Sequence, residues 1–158
     1  MKKILTRTVK IIVLIPVILI ALFIALEALG AFVNWAATSK QTKQLQSNIM
    51  KSLQNVTVLD TYSETGNTSG TGNHVDMLSV VVFQTDDNVE QISEKLQVNY
   101  VFNEWNCWVE ELKDVIAAYQ EGHYYSFCEN LDLPENTDRC YVFYLNLDAP
   151  FSDNIAGH

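Results

Sequence analysis

The hydrophobic pattern divides the chain into two unequal stretches. From Ile11 to Val33 the residues IIVLIPVILIALFIALEALGAFV carry a single charge, Glu27. As a helix this run would be about 34 Å long at ~1.5 Å per residue, enough to cross a bilayer. Pro16 falls in its first third, where a missing N–H costs least, and membrane helices tolerate proline better than soluble ones. Asn34 and Trp35 follow as a polar stop and an interfacial aromatic.

The remainder is patterned more finely. Residues 38–53 are polar, with Leu45, Ile49, Met50 and Leu53 at helical spacing, which predicts an extension of the apolar helix or a separate stalk helix. Val56 to Tyr62 is β-branched and aromatic and predicts a strand; Met77 to Phe83, with three consecutive valines, predicts a more deeply buried one. Between them Glu64 to His74 holds Gly66, Gly70 and Gly72. It lacks the Lys-Ser/Thr ending of a phosphate loop and predicts a hairpin connection. Asp87 and Glu90 have capping-box spacing, and Val89, Ile92, Leu96 and Tyr100 then form one helical stripe.

Trp105, Trp108, Val109, Leu112, Val115, Ile116 and Tyr119 lie at helical spacing ahead of Gly122, predicting a helix over 104–121. Trp105, Cys107 and Val109 also alternate as in a strand, so both readings stand, with the longer pattern favouring the helix. Tyr124 to Cys128 and Cys140 to Leu147 predict further strands, separated by an acidic loop. The sum is an α+β protein: an N-terminal transmembrane helix, then a small two-layer domain with a mainly antiparallel sheet and one or two packed helices. Its divisions are a basic N-terminus (1–10), the span (11–34), a juxtamembrane stalk (35–54) and the domain (55–158).

Charge gives these divisions a direction. Lys2, Lys3, Arg7 and Lys10 precede the apolar run with no anion among them, which predicts a cytoplasmic N-terminus and a domain outside the cell membrane. The alternative is a cleaved signal peptide, with small residues at Ala28 to Gly30 before a cut at Ala31, and a secreted domain. Residues 52–158 hold eighteen acidic groups against Lys95, Lys113 and Arg139. Nucleic acid, which needs a basic footprint, is thereby excluded as a partner, and an anionic membrane should repel the domain so that it stands off. The partners that remain are the lipid bilayer, through residues 11–34, and an unknown protein or envelope ligand.

Chemistry-bearing residues are few. Three cysteines in an exported domain allow one disulfide; Cys128 and Cys140 flank the acidic loop and are the candidate pair, with Cys107 a possible partner or all three remaining thiols. Cys107 sits among Glu104, Glu110 and Glu111, which would raise rather than lower a thiol pKa. His74, His123 and His158 have no ligand spacing for zinc, and Glu129, Asp132, Glu135 and Asp138 lack the glycine of a calcium loop. No cofactor motif or nucleophile elbow is present. Glu104, Glu110, Glu111 and Asp114 read as a wet helix face, or alternatively as paired carboxylates for glycoside hydrolysis. Trp105, Trp108, Tyr124 and Tyr125 form a candidate aromatic binding surface, with core packing the plainer use.

The order of features resembles small single-pass membrane-anchored proteins of Gram-positive bacteria. These features are a basic start, one apolar helix, a strand, a Gly/Asn loop, a buried strand, an acidic capped helix, Glu104-Trp-Asn-Cys-Trp-Val-Glu110 and a final Gly157-His158. The resemblance implies a strand at the tryptophan segment and brings no activity with it. The expected function is a non-catalytic binding or interaction module, the alternative a membrane-tethered hydrolase acting on the cell envelope.

Overall fold

In the computed structural model, which describes residues 2–70, 72–122 and 125–157, helix α1 (Lys2–Ser52) runs unbroken through Pro16. Its apolar first part is long and hydrophobic enough to cross a membrane, and Ile12 to Leu26 are all exposed. The second part behaves differently. Leu45, Ile49 and Leu53 are buried in the core, while Thr38, Gln41 and Thr42 form a buried polar stripe against the sheet. Gln41 donates to the Met77 carbonyl (2.8 Å) and to Ser79 Oγ (3.1 Å), and Thr42 shares a hydrogen bond with Ser79 (2.7 Å). Residues 35–54 are therefore no stalk: they are a layer of the fold. A burial pattern every three or four residues marks one helical face, but only the sheet reveals that this face has a partner.

The sheet consists of β1 (Thr57–Gly66), β2 (Asp76–Gln84), β3 (Cys107–Glu111) and β4 (Cys140–Asp148), all antiparallel, in the order β1-β2-β4-β3. Both of its faces are covered, which corrects the expected two layers to three. One face carries Val81, Phe83, Cys107, Val109, Phe143 and Leu145 against α1 and α2 (Val89–Leu96). The other carries Leu78, Val80, Val82 and Val142 against α3 (Leu112–Gln120) and a 3₁₀ turn at Ser126–Asn130. Consecutive valines suit β2 because both of its faces are dry.

Three local expectations change. Asn88, not Asp87, caps α2, with Gln91 as the reciprocal partner. Asp87 is instead held by Lys95 at 2.7 Å and accepts from the Gln54 N–H at 3.4 Å, tying the end of α1 to α2. The expected helix over 104–121 divides into β3 and α3: alternation wins over 107–111, where pairing with β4 is available, and helical spacing wins from Leu112. The expected strand 124–128 is a 3₁₀ turn from Ser126. Gly122, with φ of 92°, follows the C-cap Glu121 in the left-handed conformation that glycine permits, as the spacing predicted.

The aromatic cleft and its acidic edge

On the second face, α3 covers only part of the sheet. The uncovered part, towards Leu78, Tyr144 and Asn146, is the floor of a cleft of about 550 Å³. Pairing of Trp108 with Tyr144 across β3 and β4 puts their rings in parallel stack, with centroids 4.8 Å apart and 5° between planes. Tyr125 tilts against Trp108 at 5.9 Å, and Phe127 closes on Tyr125 and Tyr144. Burial raises the pKa of both Tyr125 and Tyr144, so both remain neutral hydroxyls at physiological pH.

Two loops complete the walls. Asn103 Oδ1 accepts from the N–H groups of Trp105 (3.0 Å) and Asn106 (2.7 Å), a side-chain-closed turn that holds the Trp105 ring at the rim, 81% exposed. Opposite it stand Thr68 and Ser69 of the β1–β2 connection, with Thr68 donating to Asn146 Oδ1 at 3.1 Å. The cleft therefore has an aromatic floor and a rim of amides and hydroxyls, with Glu104 as the one acid among its lining residues. Of the four aromatics singled out in the sequence, Trp105, Trp108 and Tyr125 meet here; Tyr124 lies outside the described residues. Phe127, Tyr144 and Asn146 were missed, because they join the site only through the β-strand register and the 3₁₀ turn.

The acids split up. Glu111 pairs with Lys113 at 2.6 Å, both exposed. Glu104 and Glu110 both line a shallower groove of about 330 Å³ along the edge strand β3, together with Trp108 and Tyr125. Partial burial, and to a lesser extent the charge of Asp114, raise the Glu110 pKa. Glu129, Asp132 and Glu135 stay at the surface or near it; Asp60 reaches across to accept from the Asp132 N–H at 2.8 Å.

Cys107, Cys128 and Cys140 are free and buried, so the expected Cys128–Cys140 bridge is corrected to two separate thiols. Cys128 sits in the 3₁₀ turn, not in a strand opposite Cys140, whose Sγ instead points back towards the Asn136 and Asp138 carbonyls (3.7 and 3.6 Å). Burial pushes Cys107 and Cys128 up to about 11, so neither is a nucleophile at neutral pH.

Among the described residues, one group of metal-ligating types converges: the ligand atoms of His74, Asp76 and Asp148 lie within 4.8 Å of one another. His74 and Asp76 were separated in the sequence from Asp148 by 72 residues or more, and β2–β4 pairing places Asp76 directly opposite Asp148. Asp76 is already engaged at both oxygens, by His74 Nε2 (2.8 Å) and the Ser69 N–H (3.0 Å). Asp76, held by His74 and the Ser69 N–H, thus fastens the loop that forms one cleft wall. His123 and His158 lie outside the described residues.

Comparison of the chain with protein-family models, curated protein sequences and solved structures finds no match in any of the three.

Proposed function

We propose that this chain is a single-pass membrane protein whose domain stands outside the cell and binds an envelope ligand, without catalysis, in the aromatic cleft. The stacked Trp108–Tyr144 floor under a rim of Thr68, Ser69, Asn106 and Asn146 carries the reading. Flat aromatic faces favour a ligand with an apolar ring face, and the amides and hydroxyls favour one with polar edges. A saccharide of the cell envelope has both. The apolar run of α1 and its preceding cations support the anchor and its orientation.

The test is a titration of the full chain with soluble N-acetylglucosamine oligomers, followed by tryptophan fluorescence. A saturable change that Trp105→Ala abolishes, with the far-UV circular dichroism intact, is expected; Trp105 is too exposed for its loss to disturb the core. A flat titration to millimolar ligand would overturn the saccharide assignment.

A second reading has its own observation. Glu104 and Glu110 share the groove beside Trp108, and Glu110 is held towards its protonated form, as a general acid must be. In that case the oligomers would be shortened over hours, and Glu110→Gln would stop the shortening while leaving binding in place.

A further inference from the structure

The segment from Ala149 to Gly157 folds back onto α1 at the height of its only apolar-run charge. Asn154 Nδ2 donates to both the Glu27 carbonyl and its Oε2 (2.8 Å each), and the Ile155 N–H donates to the same Oε2 at 2.9 Å. Two turns further along, Asn34 brackets Phe151 from both sides, its Nδ2 donating to the Phe151 carbonyl and its Oδ1 accepting from the Phe151 N–H, each at 2.9 Å. Gly30 lies between these clamps. A Cβ there would come within 2.8 Å of Asn154 Nδ2, so the close approach needs glycine.

This docking leaves Phe151 and Ile155 turned outward, 48% and 60% exposed. Ile155 borders an apolar groove with Phe23, Ile24, Ala28 and Ala31 of α1. The two side chains therefore continue the greasy surface of the helix sideways onto the domain. Length decides where this surface sits. A hydrocarbon core of about 30 Å needs about 20 helical residues, and counting from Ile11, just past the last leading cation, brings its outer boundary to Gly30. Glu27 and the segment hydrogen-bonded to it lie at that boundary.

We propose that residues 149–157 form a lipid-contacting foot: Phe151 and Ile155 enter the outer leaflet beside α1, while Asn154 and the Ile155 N–H keep the Glu27 carboxylate satisfied at a depth where an unpaired charge would be costly. The inference rests on the reading of α1 as the anchor. It replaces a domain held off the membrane by its charge with one seated flush on it. Exposed Asp153 in the same turn favours zwitterionic over anionic headgroups.

Single cysteines introduced at Ile155, Leu19 and Val98, the last 85% exposed on the domain, would be spin-labelled in the full chain reconstituted in phosphatidylcholine nanodiscs, with the signal of the unsubstituted chain subtracted. Collision with oxygen reports lipid, and collision with a water-soluble nickel chelate reports solvent. Leu19 and Ile155 are expected to favour oxygen and Val98 nickel, with Phe151→Cys as a second reporter of the foot. Ile155 and Phe151 favouring nickel while Leu19 favours oxygen would sink the foot and leave the anchor standing. Leu19 favouring nickel would sink the anchor itself. Shielding of Ile155 from both reagents would place a second copy of the chain on this surface instead of lipid, and would also overturn the proposal.

Discussion

At the scale of single residues, two titratable groups depart from what their neighbours in sequence suggested. Cys107 was expected to have a raised thiol pKa because of nearby acids; the cause is burial, and it raises Cys128 to about the same value. Alkylation at pH 7.5 should therefore be slow in the folded protein and should reach three equivalents in guanidinium chloride without reductant; only one equivalent would restore the disulfide. Glu110 offers a pH test. At low pH its carboxyl is protonated in both states. As pH climbs through the ordinary carboxylate range the unfolded chain ionises first, because partial burial and Asp114 keep the folded carboxyl protonated. The stability it contributes is thus present at low pH and lost as pH rises towards its raised folded value. Glu110→Gln should gain stability relative to the parent between about pH 4 and pH 7, measured by urea unfolding, and a gap that stays constant would contradict this.

At the scale of elements, α1 does two jobs with one uninterrupted helix. Ile49 is fully buried and Met50, its neighbour, is 56% exposed. Ile49→Ala should cost about 2–5 kcal/mol, as expected for a large side chain lost from a core, while Met50→Ala should stay within about 0.5 kcal/mol. Equal effects would mean that residues 35–54 are a free stalk after all. The hydrophobic spacing of Leu45, Ile49 and Leu53 made the helix legible, but a stripe of three apolar residues looks the same whether it meets a sheet or a second helix. The Trp105–Val109 stretch shows the opposite limit. Its alternation and its helical spacing were both open readings, with the longer pattern favouring the helix, and the choice fell to the free edge of β4, which supplies hydrogen bonds that no local preference encodes.

At the scale of the whole molecule, the domain begins well before residue 55. A fragment starting at Val56 would uncover Val81, Phe83 and Phe143, so it should fail to give dispersed amide resonances, whereas one starting at Gly30 should retain them and unfold cooperatively. A folded Val56 fragment would show that α1 is dispensable. The cleft is likewise a property of the whole, since its floor comes from β2, β3 and β4 and its rim from two loops more than 30 residues apart.

What the sequence determined by itself is whatever depends on neighbours along the chain. This covers the apolar run and its leading cations, the two strands around the glycine loop, the strand from Cys140, the capped helix near residue 88 and the Gly122 stop. Tertiary structure decided whatever depends on register and coverage. Antiparallel pairing stacked Trp108 on Tyr144 and set Asp76 against Asp148, helices on both faces made three layers of two, and the fold-back of Asn154 onto Glu27 gave the lone carboxylate of the apolar run its donors. Such contacts join residues dozens to more than a hundred positions apart, and no periodicity within a single element records which distant surface will arrive to cover it.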